Sequence, residues 1–271
     1  MLNISASELD HYLETALKAA KKGSEALLKY WGKLSNIREK TFAWDLVTEA
    51  DKESETLILK TIKKEFPDHT ILAEESGYAV RTKDQKETSF LWLVDPLDGT
   101  TNYTHQYPMV CISIGLLIDN IPFIGVIYNP IFKELYIAVK GRGATLNGEP
   151  IQVSKTLKIN RSLLGTGFAY DRRTTPDNNY SEFCRLTNIS QGVRRGGSAA
   201  LDLAYVSTGR LDGYWERGLQ PWDLAAGVLL VEEAGGRVSS YNNQPFDLFS
   251  GRILATNGVI HQELSATLVS K

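Results

Sequence analysis

Apolar positions in the N-terminal part of the chain recur at helical spacing. Between residues 7 and 31, leucine and alanine residues fall three and four positions apart, which predicts a long helix with Ser7 as N-cap and Gly32 at its end. A second helix is predicted to begin after the capping residue Thr48 and to end at Phe66, which precedes a proline. The chain is therefore expected to begin with two helices.

Short apolar runs follow these helices and predict strands. The runs within 69–76 and 89–95 are each followed by acidic residues. The Asn147-Gly148 dipeptide marks a hairpin turn. Three further runs with tight turns between them predict consecutive antiparallel strands at 110–118, 121–128 and 134–140.

The second half of the chain alternates between strands and helices. Strands are predicted near 162–168, 192–195, 211–216, 237–239 and 252–256, and helices over 178–188, 198–208, 222–234 and the C-terminal end. Helices layered against two sheets indicate an α+β fold, a layered α/β/α/β sandwich. No linker-like segment interrupts the pattern, so one domain spanning 1–271 is expected. Two subdomains, of about residues 1–150 and 151–271, with the active site in the cleft between them, would also fit.

The charge of the chain excludes some classes of partner. The net charge is −2 and the isoelectric point is near 6.1, so neither nucleic acid nor an anionic membrane is generally attracted. The first residues form an amphipathic stretch with acidic residues, and no run approaches the ~20 apolar residues of a membrane span. We therefore expect a cytoplasmic protein without nucleic-acid or membrane partners. The two cysteines, Cys111 and Cys184, have no metal-binding spacing and are expected to be reduced thiols in the packing.

Acidic residues recur where strands end and helices begin. Asp95 and Asp98 flank Pro96 at the end of an apolar run, and Gly99 allows a close turn after them. The run that follows could open a short helix whose N–H groups face an anion. Alone, such a segment fits an Asx turn as well as a metal site. Further acids in similar places favour a site for a hard cation and a phosphate: Asp51, Glu74, Glu75 and Asp223.

Four motifs in order resemble the signatures of the inositol monophosphatase family, and the second half most resembles its bacterial branch. They are Asp45-Leu46-Val47-Thr48 with Asp51, Glu74-Glu75-Ser76, Trp92 with Asp95-Pro96-Leu97-Asp98-Gly99-Thr100-Thr101-Asn102, and Trp222-Asp223 with Gly227. The resemblance spans residues 45–227 and implies the layered fold of inositol monophosphatases and fructose-1,6-bisphosphatases. It also implies two to three Mg²⁺ ions per site. It does not depend on any single motif.

The resemblance assigns metal ligands residue by residue. One Mg²⁺ would be held by Glu74, Asp95 and the carbonyl of Leu97, and a second by Asp95, Asp98 and Asp223. Asp51 would reach a third, weaker ion. Oxygen ligands of this kind suit Mg²⁺, which also retains water molecules.

The resemblance also implies the roles of the remaining site residues. Thr100 would hydrogen-bond the attacking water, Asp51 would orient Thr100, and Glu74 would assist as base. The amides of Gly99 and Thr100 would hold the phosphate. The organic part of the substrate would contact a wall at a helix start and one further acid: Gly197, Ser198, Ala199 and Glu216. Lys40 would offset the negative charge of the metal site.

The implied reaction is Mg²⁺-dependent hydrolysis of a phosphate monoester by a metal-activated water, with inositol 1-phosphate giving myo-inositol and phosphate. Alternative substrates of the same fold are fructose 1,6-bisphosphate, histidinol phosphate and 3′-phosphoadenosine 5′-phosphate. Arg172 and Arg173 could contact a second phosphate, which keeps a bisphosphate open. A binding or regulatory module that retains the fold is the alternative of another class. Family membership further implies a homodimer and sensitivity to lithium.

Overall fold

Helices form the layers between and beside the sheets. The structure is a computed structural model that describes residues 4–40, 42–78 and 89–270. Its α-helices are α1 (Ala6–Tyr30), α2 (Glu49–Glu65), α3 (Thr100–Thr104), α4 (Tyr180–Ile189), α5 (Ala199–Ser207), α6 (Pro221–Glu233) and α7 (His261–Val269).

Strands form three sheets. The strands are β1 (Ile37–Glu39), β2 (Leu46–Thr48), β3 (Thr70–Ala73), β4 (Gly77–Tyr78), β5 (Phe90–Asp98), β6 (Cys111–Ile118), β7 (Ile121–Asn129), β8 (Glu134–Val139), β9 (Ala144–Leu146), β10 (Glu149–Pro150), β11 (Leu163–Thr166), β12 (Gly192–Arg194), β13 (Gly213–Arg217), β14 (Arg237–Ser239) and β15 (Arg252–Thr256). β1 and β2 form a hairpin. The second sheet has the order β10-β9-β8-β7-β6-β5-β3-β4, and the third has the order β12-β11-β13-β15-β14.

The N-terminal helix begins earlier than its sequence pattern predicts. Ser5, not Ser7, is the N-cap of α1, because its side chain accepts the N–H of Glu8 while the Glu8 carboxylate accepts the N–H of Ser5. This reciprocal pair satisfies two N–H groups that the helix leaves free. Thr48 caps α2 as predicted.

The eight-stranded sheet is covered by helices on both faces. α1 and α2 pack against β5, β6 and β7 on one face. On the other face α6 lies very close to the sheet, because glycines provide the space. A Cβ on Gly115 would stand 2.7 Å from the Cβ of Ala225, and one on Gly125 would stand 2.8 Å from the carbonyl oxygen of Ala226. Larger residues at either glycine would push α6 away.

The five-stranded sheet completes the layers. Successive side chains of a strand point to opposite faces of the sheet, so Tyr214 of β13 packs with α5 and α6 while Trp215 packs with α4 and α7. The α/β/α/β arrangement predicted from sequence is therefore confirmed, and α4 and α7 add an outer helical layer to it. Cys111 is buried as expected, but Cys184 on α4 is exposed, so the prediction of a packed thiol is wrong there.

No helix within the described ranges is both long enough and apolar enough to cross a membrane.

Candidate active site

The site forms at the edge of the large sheet where β3 and β5 end. These two strands are parallel, so their carboxyl ends meet at the same edge. Glu74 follows β3, and its N–H donates to the carbonyl of Val94 at 3.1 Å. A register shift in β5 opposite β6 lies between Asp95 and Asp98, so these two carboxyl groups leave the regular ladder together.

Among the acids on or directly after β3 and β5, Asp95 is the most buried. Its side chain is 2% exposed, and its Oδ1 accepts the N–H of Leu97 at 2.9 Å. Burial raises the pKa of Asp95 well above its ordinary value, and the neighbouring charges of Glu74, Asp98 and Asp223 add to the shift. The four carboxyl groups therefore repel one another when all are ionised.

Asp98 connects this edge to the start of α5. Its Oδ2 accepts the hydroxyl hydrogen of Ser198 and the N–H of Ala200, both at 2.7 Å. Burial raises the pKa of Asp98 to about 6, although these two bonds oppose the shift. Ser198 is also the N-cap of α5, so the helix start is fixed relative to the acid.

Asp223 lies in the first turn of α6. The N–H of Gln220 donates to its Oδ2 at 2.7 Å, which fixes the carboxylate at the helix N-terminus. The α6 start is held against the sheet by Ser113, whose hydroxyl donates to the carbonyl of Trp222 at 3.0 Å. Burial, followed by the charge of Asp98, raises the pKa of Asp223 well above its ordinary value.

Asp51 and Thr100 form a hydrogen-bonded pair between α2 and α3. The hydroxyl of Thr100 donates to Oδ1 of Asp51 at 2.9 Å and also lies 3.2 Å from the carbonyl of Leu97. Thr48 donates to the other Asp51 oxygen from its hydroxyl and its N–H. Asp51 is fully buried, and this burial raises its pKa to about 6.

Lys40 is a cation that the structure places beside Glu74 and Glu75. Its ammonium group lies 2.9 Å from Oε1 of Glu74 and 2.5 Å from Oε1 of Glu75. Burial disfavours the charged form of Lys40, but the two carboxylates outweigh it and raise its pKa above the ordinary value. Burial raises the pKa of Glu75 to about 7 despite the contact with Lys40.

The donor set at this edge fits a hard divalent cation. Within the described residues, no three Asp, Glu, His or Cys side chains already stand where they could hold a metal ion. In Asp98 and in Asp223, protein donors contact the Oδ2 atom. A carboxylate has two oxygens, so it can accept a cation and keep such a bond. Buried, mutually repelling carboxyl groups beside the Leu97 carbonyl are suited to Mg²⁺.

A glycine-containing wall faces the turn at Gly99. Gly99 has a left-handed backbone with φ of 94°, and a Cβ there would lie 2.8 Å from the carbonyl oxygen of Met109 and 3.3 Å from that of Gly197. The side chain of Asn102 joins the two sides, since its Nδ2 donates to Met109 and Gly196 carbonyls at 2.8 and 2.9 Å. The predicted phosphate-binding turn and the predicted substrate wall are therefore adjacent.

Glu216 lies near the same wall, at the end of β13. It is 9% exposed and accepts a hydrogen bond from the hydroxyl of Tyr214 at Oε2. Burial raises the pKa of Glu216 to about 7. Its carboxylate packs directly on Gly167, where a side chain would collide with it. Glu216 is therefore not a solvent-facing acid at a strand end.

The structure thus gathers the predicted residues into one region, although their chemical roles stay predictions. It also adds residues to which sequence reasoning gave no role. Asp202 of α5 is 3% exposed and accepts the N–H of Gly196, and a Cβ on Gly196 would lie 2.5 Å from its Oδ1. Asn102 ends the quoted motif that contains Asp95, and that motif is the signal for it, whereas Asp202 lies outside the quoted motifs.

The chain resembles known phosphatases over nearly its full length. The model of the inositol monophosphatase family matches residues 8–271. An inositol-1-monophosphatase from Synechocystis sp. is 57% identical over 266 residues, which cover 98% of this chain and 91% of that protein. A solved structure of an inositol monophosphatase from Anabaena (Nostoc) sp. PCC 7120 is 53% identical, covers 96% of each chain and gives a TM-score of 0.87. The extragenic suppressor protein suhB from Bartonella henselae is 35% identical, covers 96% of this chain and 99% of its own, and gives 0.88.

Proposed function

The chain belongs to the inositol monophosphatase family and is a phosphate-monoester hydrolase, and we propose that it is a Mg²⁺-dependent enzyme whose substrate is inositol 1-phosphate. The observation that carries the proposal is the convergence of Glu74, Asp95, Asp98 and Asp223 at one sheet edge. This acidic edge lies beside the wall that contains Gly197 and near Glu216. Metal, phosphate and polyol sites would thus adjoin.

The predicted ligands divide between two principal ions, with Asp95 shared. Glu74 and the Leu97 carbonyl would complete one set, Asp98 and Asp223 the other, and Asp51 would reach a third ion. When bound, Mg²⁺ would lower the pKa of a water and neutralise charge that develops on the phosphate and the leaving oxygen. Lys40 would have to share Glu74 with the metal, and its second contact with Glu75 allows it to remain nearby.

Thr100 and Asp51 orient the attacking water in this scheme. Because the Thr100 hydroxyl donates its hydrogen to Asp51, its oxygen is left to accept a hydrogen bond from water. Thr48 holds Asp51 from the opposite side, so the direction of the Thr100 hydroxyl is fixed before substrate binds. Such preorganisation avoids a reorganisation cost during the reaction. Glu74 would assist in removing the proton of the water.

Glu216 recognises the polyol. Tyr214 donates to Oε2 of Glu216, so Oε1 is the oxygen available to a substrate hydroxyl. Ser198 and Ala199 start α5 next to Gly197 and would form the opposing surface of the pocket. A hydroxyl-rich ring supplies the donors that a buried carboxylate needs.

Four further properties of the protein remain predictions. These are the number of ions, the homodimer, the sensitivity to lithium and the cytoplasmic location.

A panel of phosphate esters tests the proposal. Phosphate release would be measured with Mg²⁺ and with EDTA on inositol 1-phosphate, fructose 1,6-bisphosphate, histidinol phosphate, 3′-phosphoadenosine 5′-phosphate and glycerol 2-phosphate. We expect Mg²⁺-dependent release that is fastest on inositol 1-phosphate. Fastest release from another substrate would replace the proposed one. No release from any substrate, by protein that binds Mg²⁺, would favour the binding-module alternative.

A further inference from the structure

The turn of the β1–β2 hairpin contacts the loop formed by residues 167–179. Trp44 lies in that turn, and its ring stacks on Phe42 with centroids 5.3 Å apart and planes inclined by 3°. The guanidinium carbon of Arg173 lies 3.8 Å from the centroid of the same indole. The indole N–H of Trp44 donates to the carbonyl of Tyr170 at 3.1 Å. Stacking, cation–π attraction and a hydrogen bond thus join two segments that are far apart in sequence.

The same loop is anchored on its other side to β13. Asp171 and Arg217 form a bidentate ion pair with distances of 2.7 and 2.8 Å. Paired bonds of this kind fix direction as well as distance. Arg217 directly follows Glu216, and the Glu216 carboxylate packs on Gly167 at the start of the loop. The loop is therefore positioned relative to the acid that is proposed to bind the polyol.

The hairpin is anchored to the metal side of the site. Lys40 follows β1 and contacts Glu74 and Glu75. Trp44 lies in the same hairpin turn as Lys40, and its indole N–H reaches the backbone carbonyl of Tyr170 on the loop. The Trp44–Tyr170 contact therefore spans from the proposed metal ligands to the proposed polyol pocket.

We propose that Trp44 and the loop residues that contact it, Tyr170 through its carbonyl and Arg173 through its guanidinium group, form a roof over the alcohol side of the site. This roof admits phosphates of small polyols and excludes phosphates of bulky alcohols such as nucleosides. The inference rests on the proposed function and deepens it, because it names the substrate class and the residues that select it.

The contacts of the roof argue against a nucleotide site. Trp44 already has Phe42 and Arg173 over its ring, so the indole is engaged and not presented to a nucleobase. Arg172 is also directed to the loop, since its Nη1 donates to the carbonyl of Ala169 at 3.1 Å. The two arginines that could have contacted a second phosphate thus serve the roof. The proposed roof selects ligands by the size of their alcohol part.

Substrate preference tests the roof. The variants are Trp44→Ala, which removes every contact of the indole, Trp44→Phe, which keeps a ring but loses the N–H donor, and Arg173→Ala. Arg161→Ala, an exposed arginine on the turn that precedes β11, is the matched control. kcat/KM would be measured with Mg²⁺ on inositol 1-phosphate and on adenosine 2′-monophosphate.

We expect the wild-type protein to prefer inositol 1-phosphate. Trp44→Ala should raise the ratio of nucleotide to inositol kcat/KM about tenfold or more, a range typical for steric discrimination in a pocket. Arg173→Ala and Trp44→Phe should raise it by smaller factors, and Arg161→Ala should leave it unchanged. Thermal unfolding would be measured for each variant, and the two milder variants decide the question if Trp44→Ala does not fold.

Two different failures can be told apart. An unchanged ratio in all three roof variants, with Mg²⁺-dependent hydrolysis of inositol 1-phosphate intact, would overturn the roof alone. Equal use of both substrates by the wild type would do the same. Absence of Mg²⁺-dependent release from both substrates would overturn the proposed function, and the roof with it.

Discussion

At the scale of single residues, Asp95 differs from the other acids of the site. It is almost fully buried and interacts with Glu74, Asp98 and Asp223 at once. In the proposed scheme it is the ligand shared by two ions, so its charge cannot be replaced by a neighbour. Substitution by asparagine, a neutral amide of the same shape, removes that charge and leaves the shape of the side chain unchanged.

Asp95→Asn should therefore lower kcat/KM for inositol 1-phosphate by at least about 10³-fold, because both ions lose a ligand charge. Asp212→Asn is the matched control, since Asp212 is also buried but accepts the N–H of Leu163 away from the site. Steady-state kinetics at saturating Mg²⁺ make the comparison. Near wild-type turnover in Asp95→Asn would contradict the metal assignment.

Glu216 allows a second residue-scale test, directed at substrate binding. Glu216→Gln keeps the shape but removes the charge that accepts a polyol hydroxyl. A hydrogen bond to a charged group contributes about 1.5–3 kcal/mol, so KM for inositol 1-phosphate should rise about tenfold or more. Phenyl phosphate has no hydroxyl to offer, and its KM should stay the same. An equal rise for both substrates would place Glu216 outside the polyol pocket.

At the scale of elements, periodicity was sufficient to predict most helices and strands. Thr48 was recognised as the cap of α2 because the signal is local. The sequence pattern predicts a later start for α1 than the structure has, since Ser5 and Ser7 are both good caps and only the pairing with Glu8 decides between them. The contacts of Asp98 with Ser198 and of Trp44 with Tyr170 join distant parts of the chain. No local pattern encodes them.

The docking of α7 provides an element-scale prediction about pH. His261 begins this helix, is fully buried and lies between the hydroxyls of Ser239 and Thr256 at 2.8 and 2.9 Å. Burial lowers its pKa to about 4 from 6.5. Below 6.5 the unfolded chain takes up a proton that the folded chain does not. The stability gained from neutral His261 is therefore full above pH 6.5 and is lost as the pH falls towards 4.

The free energy of unfolding, measured by urea titration from pH 7.5 to pH 4.5, checks this prediction. The contribution of His261 should decline by at most about 3 kcal/mol over its window. His261→Gln should flatten the curve, and its cost at pH 7.5 separates lost packing from titration. Burial also lowers the pKa of His69 to about 4, so the free energy of unfolding of His261→Gln should still depend on pH in part. Parallel curves for the two proteins would contradict the role of His261.

At the scale of the whole molecule, the fold brings acids from separate layers to one place. Asp51 comes from α2 on one face of the large sheet, Asp95 from the sheet itself and Asp223 from α6 on the other face. Each of these residues lies at a strand end or in a first helical turn, where a free backbone N–H group donates a hydrogen bond to its carboxylate. The family motifs allowed these residues to be selected from sequence. Their burial, and therefore their repulsion, depends on the packing of the layers and could not be predicted from the motifs.

That repulsion predicts that Mg²⁺ stabilises the whole fold. A cation that binds only the folded chain adds about 2.7 kcal/mol at a hundredfold excess over its Kd. For a chain of this size each kcal/mol raises Tm by roughly 2–4 °C, so Tm in Mg²⁺ should exceed Tm in EDTA by roughly 5–10 °C. NaCl at equal ionic strength controls for screening. Asp95→Asn should lose most of the increase, because it removes a ligand charge from both ions, while Asp212→Asn should retain it. An equal increase in wild type and Asp95→Asn would mean that Mg²⁺ acts elsewhere on the protein, and Asp95 would then have no part in holding it.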